Sequence, residues 1–301
     1  MRDNKIKLSS ADRIFVSINT LFLIIIMLIV AYPLLIIISS SFSDPQAVIA
    51  GEVLLLPVRP TLNGYIAVFS QKAVLTGYAN TLFYTVISTC ISVILTMLAA
   101  YPLSRKDFFG KNIIMVFFTF TRLFGGGLIP SYLLNKSLGF VDSRWSMIIL
   151  GTFSIYNVII TRTFLKSNIP DELYEAAELD GCNDFQFLGS VVIPLSKTII
   201  AVLILFYAVG QWNSYYNALI YIRSKSKYPL QLVLRNILIL SQIQNMDELA
   251  GIDLSMQARL QGLQDLLKYA LIIVASLPIL ILYPFLQKYF VKGVMIGSLK
   301  G

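Results

Sequence analysis

Histidine is absent from the 301 residues, and with it every mechanism that needs an imidazole base or metal ligand. Only two cysteines occur, Cys90 and Cys182; they stand far apart and exclude a disulfide framework or a thiolate metal cage. Charge is also scarce, at 13% of residues against 56% hydrophobic, with a mean hydropathy of +0.74. Soluble domains carry roughly 25% charged residues. This chain has too little charge to cover a globule and enough apolar side chain to face lipid, so it reads as an all-α polytopic membrane protein. No catalytic residue and no nucleotide site is expected either. A P-loop needs G-x-x-x-x-G-K-[ST], and the sole Gly-Lys pair, Gly110 and Lys111, has Arg105 in place of the first glycine and Asn112 after it.

What is present is long apolar runs. A bilayer core of about 30 Å needs about 20 apolar residues per helix, and such runs fall at about 14–38, 77–103, 113–134, 145–165, 198–221 and 267–290, predicting six transmembrane helices. Acidic residues avoid the inner parts of these runs, and the only basic residue well inside one is Arg122. The net charge of +8 is spread without a long basic block, which suits anionic headgroups better than nucleic acid. Arg2, Lys5, Lys7 and Arg13 at the head, Arg105, Lys106 and Lys111 in the second short connection, and Lys288, Lys292 and Lys300 in the tail all lie on one side. That side is read as cytoplasm, with both termini inside. The first run is too long for a signal-peptide core and is expected to be a retained helix. Loops 39–76 and 222–266 then lie outside, and the segment 166–197 lies inside. Gly125, Gly126 and Gly127 lie at membrane depth, where they break or closely pack the third span.

The inside segment predicts two short helices meeting at Gly181. Pro170 suits the first helical turn, Asp171 and Glu172 the positive helix start, and Gly181 a left-handed stop. Asn183 and Gln186 stand in capping-box spacing, and Pro194 is expected to limit the second helix. Leu173, Ala176 and Ala177 share a face flanked by Glu175 and Glu178. Taken alone, that face suits either a knob for a cytoplasmic partner or a solvated connection.

Glu175, Ala176 and Ala177, three residues, Gly181, nine residues, then Val191, Val192, Ile193 and Pro194 resemble the EAA loop of ATP-binding cassette importer permeases, whose pattern ends in I-x-L-P. Val191 and Ile193 depart from it only in the kind of aliphatic side chain. The run Ile169 to Leu173, the pair Asp180 and Gly181, and the strings 210–219 and 228–238 are similar to the maltose-permease-like carbohydrate-uptake branch that takes up oligosaccharides. The resemblance covers almost the whole chain. It implies a type I importer permease fold in a single domain over 1–301, multi-pass in the bacterial cell membrane. It also implies a coupling helix in which Glu175, Ala176, Ala177, Asp180, Gly181 and Pro194 serve a separate ATPase. The implied partners are a second homologous permease, two copies of an ABC ATPase or its equivalent carrying ATP and Mg, an extracytoplasmic sugar-binding lipoprotein, and the oligosaccharide itself. No cofactor is expected in this chain.

Sugar recognition wants aromatic faces against C–H surfaces and amides against hydroxyls. Trp212, Asn213, Tyr215, Tyr216 and Asn217 offer both near the outer end of the fifth span, although an interfacial aromatic belt explains the rings as well. Arg122 is a further substrate-path candidate, with pairing to backbone carbonyls or a partner subunit as the alternative. Segment 222–266 reads as an outer loop with a short helix. The main rival is an ion-coupled secondary transporter, which the lack of histidine and of intramembrane acids disfavours while leaving backbone sodium sites open. A membrane enzyme would need paired acids or a nucleophile with its base; the acids instead cluster on the inside segment.

Overall fold

The computed structural model describes residues 9–247, 266–284 and 287. No strand occurs among the described residues. The helices fall into two compact units, residues 1–70 with 237–274 and residues 71–236 with 275–301.

In the first unit, α1 (Ser10–Ser41) opens on a capping box in which the Ser9 amide donates to Asp12 Oδ2 at 3.2 Å. Large apolar side chains from Ile14 to Val30 are exposed around its whole circumference. A helix apolar on every face belongs in an apolar solvent, which is what a span requires. At its other end the chain folds back: Ser39 Oγ donates to the Leu55 carbonyl at 2.6 Å, and the Phe42 ring lies 5.0 Å from that of Tyr65. Two short helices follow, α2 (Pro45–Ile49) and α3 (Asn63–Ser70). Gly64 is needed for close approach, since a Cβ there would meet Leu266 Cγ at 2.8 Å and the Leu266 carbonyl at 3.1 Å.

The second unit is organised on α4 (Lys72–Ser104). Its C-terminal half buries Met97, Ala100 and Leu103 against Val158 and Leu165, and against Ile199, Leu203 and Tyr207. Tyr84, nearer the other end, packs with Met147, Ile148, Ala218, Ile222 and Leu232. The helix begins at Lys72, five residues before the apolar run marked it, and Gly77 lets the chain at Leu230 approach to 3.2 Å from where a Cβ would sit.

Three of the runs expected as spans are each interrupted, the third span at the glycines that offered a break. Residues 113–134 form α5 (Lys111–Leu123) and α6 (Leu128–Ser137), bent by 112°. Three glycines stand in the break, and Gly127 takes φ +81°, a conformation that ends a helix at little cost only without a side chain. Residues 145–165 form α7 (Arg144–Ile149) and α8 (Ile155–Asn168), separated at Gly151 with φ +92° and restarted by the Ser154 cap. The segment 166–197 carries α9 (Asp171–Leu179), α10 (Asp184–Phe187) and α11 (Ile193–Leu195); residues 198–221 then form α12 (Lys197–Trp212) and α13 (Tyr215–Tyr221), parted at Asn213 and Ser214. Helices α14 (Leu230–Asp247) and α15 (Leu266–Pro284) complete the described elements. By length and composition α1, α4 and α15 can each cross a membrane, and up to five spans result if α5 with α6, and the stretch from α10 to α11 with α12, each count as one bent span. Residues 248–265 of the expected outer loop, the head cations Arg2, Lys5 and Lys7, and the tail cations Lys288, Lys292 and Lys300 lie outside the described residues.

Candidate functional site

Helix α9 is set at both ends by its sequence. Pro170 is the N-cap rather than a residue of the first turn, with ψ 146°, and Asp171 and Glu172 occupy that turn. At the other end the Gly181 amide donates to the Glu178 carbonyl at 3.0 Å and the Cys182 amide to the Ala177 carbonyl at 2.9 Å. These two bonds make a Schellman stop with Asp180 as C-cap. Gly181 carries φ +79°, and nothing lies within 4 Å of where its Cβ would be. Backbone conformation, not space, demands glycine there. Helix α10 starts on the expected capping box between Asn183 and Gln186, each bond 2.9 Å.

Pro194 does not stop this second helix. The turn at Leu188–Val192 widens to a π register, the Ile193 amide bonding to the Leu188 carbonyl, and the chain passes Pro194 as far as Leu195. Widening the turn relieves the clash between a proline ring and the carbonyl one turn back. The break comes at Ser196, where α12 departs at 82°.

The seat of α9 is aromatic and charged. Tyr174 packs edge-on to Phe187 at 5.4 Å, and the Arg105 guanidinium lies over the Tyr174 ring, 3.0 Å from its centroid. Tyr101 hydroxyl donates to Asp184 Oδ1 at 3.1 Å. Lys106 Nζ lies 2.6 Å from Asp171 Oδ2; the hydrogen bond from Lys106 lowers the Asp171 pKa, and the same bond raises that of Lys106. Tyr174 and Ala177 therefore face the core, which corrects the grouping of Ala177 with the outward alanine face. Outward stand Glu172, Leu173, Glu175, Ala176 and Glu178, with Leu179 90% and Phe185 78% exposed. An apolar patch edged by carboxylates is thus held in fixed orientation on the surface.

A cavity of about 730 Å³ lies at the other end of α12. Its lining mixes rings (Tyr156, Phe206, Tyr207), amides (Asn157, Gln211, Asn217) and hydroxyls (Ser88, Ser154, Ser214). Gln211 Nε2 donates to the Met147 carbonyl at 2.7 Å, which fixes the amide and leaves its oxygen as an acceptor. Tyr207 hydroxyl bonds to Thr96 Oγ1 at 2.7 Å. The set suits a hydroxyl-rich ligand, with apolar faces for C–H groups and amides for O–H groups.

Of the substrate-path candidates read from the sequence, only Asn217 lines this cavity. Trp212 is buried, its Nε1 donating to the Ala275 carbonyl at 2.9 Å and its ring edge-on to Tyr78 at 5.6 Å. It ties α12 to α15 and borders a separate apolar cavity of about 560 Å³ with Thr89 and Pro278. Asn213 Nδ2 donates back to the Val209 carbonyl at 2.9 Å. Tyr215 and Tyr216 are exposed, edge-on to each other at 6.5 Å. Arg122 sits exposed in the last turn of α5, away from the cavity lining. Gln211, Asn157, Tyr156 and Tyr207 were missed because they come from different helices; glutamine inside an apolar run was their one available signal.

Residues 8–296 match the family described as binding-protein-dependent transport system inner membrane component. The polygalacturonan/rhamnogalacturonan transport system permease protein YtcP of Bacillus subtilis is 38% identical over 283 residues, 93% of this chain and 96% of that one. LplC of the same organism is 40% identical over 293 residues, 97% of each chain. The crystal structure of a bacterial ABC transporter involved in the import of the acidic polysaccharide alginate matches with a TM-score of 0.83 at 34% identity, over 95% of this chain and 100% of that one. The helices have the type I ABC permease fold, and the chain belongs to the family of binding-protein-dependent transport system inner membrane components, as a transport subunit rather than an enzyme.

Proposed function

We propose that this chain is one permease subunit of an ATP-driven importer of oligosaccharide. A second permease completes the path, ATPase subunits holding ATP and Mg supply the work, and an extracytoplasmic binding protein delivers the glycan. The carrying observation is α9: a helix capped at both ends and seated through Tyr174, with Glu175 and Ala176 presented outward. That is the geometry of a docking element, because a partner that moves α9 moves Phe187 beneath Tyr174, and with it the helix that runs through Pro194 to the bend at Ser196. Helix α12 continues from that bend to Tyr207 and Gln211 in the polar cavity. From Phe187 to the cavity the chain is helical with a single joint, at Ser196. Glu175 offers a carboxylate for a charge-assisted bond to the ATPase, and Ala176 permits close packing.

Six spans with both termini cytoplasmic fit this reading when α5/α6, α7/α8 and α12/α13 each count as one broken span. Non-helical backbone at membrane depth is tolerated where it lines a water-filled path or is covered by protein. The names of the relatives, which concern glycan transport, support the carbohydrate class.

Purification from native membrane with identification of partners by mass spectrometry tests the proposal. A second permease, an ATPase and a binding protein are expected to copurify, and uptake is expected to survive collapse of ion gradients but stop on ATP depletion. The reverse energy dependence would return the chain to the secondary transporters.

A further inference from the structure

Helices α4 and α8 end close together, and the cations at that end are of two kinds. Arg162 Nε donates to the Leu103 carbonyl at 2.8 Å, and Lys111 Nζ donates to the carbonyls of Arg105 and Lys106 at 2.7 and 2.8 Å. These two serve carbonyls left open where α4 stops, which is a structural task. Arg105, Lys106 and Lys166 instead converge on a cavity of about 210 Å³, whose lining includes Asp171 and the buried side chains of Leu165 and Phe187. Topology selects cations at a cytoplasmic span end, but it does not gather three of them around one cavity.

Their charge is poorly balanced. Lys106 Nζ gives one bond to Asp171 Oδ2, at 2.6 Å. The Arg105 side chain is only 13% exposed, and its Nε is buried without a hydrogen bond; Asp107 Oδ1, 3.2 Å away on a largely exposed side chain, lies outside bonding geometry. Lys166, in the last turn of α8, makes no hydrogen bond or ion pair to a described residue. Three cations on the lining thus face the single carboxylate of Asp171. Two of the three are also what fixes α9, Arg105 through the Tyr174 ring and Lys106 through Asp171.

We propose that this cavity binds a phosphate group, and that the bound group steadies α9 in its seat. Arg105 offers a planar fork and each lysine an ammonium, and the oxygens of one phosphate accept from all three. Space allows it, since 210 Å³ far exceeds the roughly 30 Å³ of one water. The phosphate offsets the repulsion among the cations and ties the two that hold α9 to α8 through Lys166. Ligand bound only to the seated form lowers the frequency with which α9 opens. Lys106 and Lys166 are exposed, so the site is reached from the surface. With α4 and α8 as spans ending at the cytoplasm, an anionic phospholipid of the inner leaflet brings its headgroup to this level, and a soluble phosphate ester carries the same chemistry. The inference rests on the importer reading for that orientation, and adds a ligand that the reading does not require.

Hydrogen exchange in α9 tests it, measured on the importer as purified from its membrane and placed in nanodiscs. The probes are phosphatidylcholine alone, phosphatidylcholine with phosphatidylglycerol, and phosphatidylcholine with added glycerol 3-phosphate. In wild type at least one phosphate probe is expected to slow exchange of the α9 amides about tenfold, the equivalent of about 1.4 kcal/mol, with exchange in α13 unchanged. Lys166→Gln should lose most of that slowing and Lys166→Arg should keep it. Slowing by phosphatidylglycerol alone assigns the site to a lipid headgroup, and slowing by glycerol 3-phosphate alone to a soluble ester; either supports the proposal. Exchange that neither probe slows, or that both slow equally in wild type and Lys166→Gln, overturns it. The measurement needs neither ATP nor glycan, so its failure leaves the import reading standing, and uptake driven by an ion gradient overturns that reading without touching this site.

Discussion

Replacing Tyr174 by alanine is expected to abolish transport-coupled ATP hydrolysis in the assembled importer while leaving the permease folded in the membrane. The ring supplies the seat of α9, edge-on to Phe187 at 5.4 Å and under the Arg105 guanidinium at 3.0 Å. Truncation removes a partly buried aromatic and a cation–π contact, together about 3 kcal/mol. Since about 1.4 kcal/mol is tenfold, the seated population drops by roughly a hundredfold against detached arrangements. Tyr174→Phe keeps the ring and is expected to remain within about twofold of wild type. Binding-protein-stimulated ATP hydrolysis and uptake, measured together, check the result. An alanine variant that hydrolyses and transports normally would show that α9 needs no seat.

The second large effect is expected at Asp142. Its carboxylate accepts from two amides and the Ser224 hydroxyl and faces Lys227, and these bonds hold its pKa well below the ordinary carboxylate range. Asp142→Asn loses the charge assistance and leaves Lys227 without its counter-ion, a cost of about 2–3 kcal/mol at neutral pH. A group whose folded pKa is depressed stabilises above its unfolded value, here 3.8, and loses that contribution as pH falls through the folded value. The gap between wild type and variant in thermal unfolding should therefore be full at pH 7 and narrow progressively below pH 4. A gap that holds constant to low pH would exclude the charge as its source.

How far the sequence was legible depended on the range over which each residue acts. The stop at Gly181 and the box from Asn183 to Gln186 involve neighbours three to five residues apart, so spacing alone located them. Pro170 was one position off because N-cap and first-turn prolines share the same φ. Continuity of the spans was not legible: hydropathy averages over a window, and Gly151 or the pair Asn213 and Ser214 hardly lowers that average although each ends a helix. Trp212 looked like a sugar platform because its neighbours are amides and tyrosines. Its indole N–H is in fact satisfied by the Ala275 carbonyl, 63 residues away. Asp142 carried no signal for the same reason, its partners being 81 to 85 residues further on. The cavity is assembled from α4, α12, α13 and the start of α8, and no local pattern announces such a convergence.

The break between α5 and α6 has a consequence for the life of the subunit in the cell. Residues 121–131 are exposed throughout, and the glycines among them leave peptide groups outside any helix. Lipid offers such groups no hydrogen bond, at a cost of several kcal/mol each. In the proposed two-permease importer, a newly inserted copy that has not met its partner would carry a flaw that membrane quality-control proteases can read, and it should be turned over faster than an assembled one. Pulse-chase labelling in cells lacking the second permease is expected to show a shortened half-life, which closing the break with Gly125→Leu and Gly126→Leu lengthens. Subunit stoichiometry would then be set after synthesis, by removal of the unmatched chain, and not by matched expression alone.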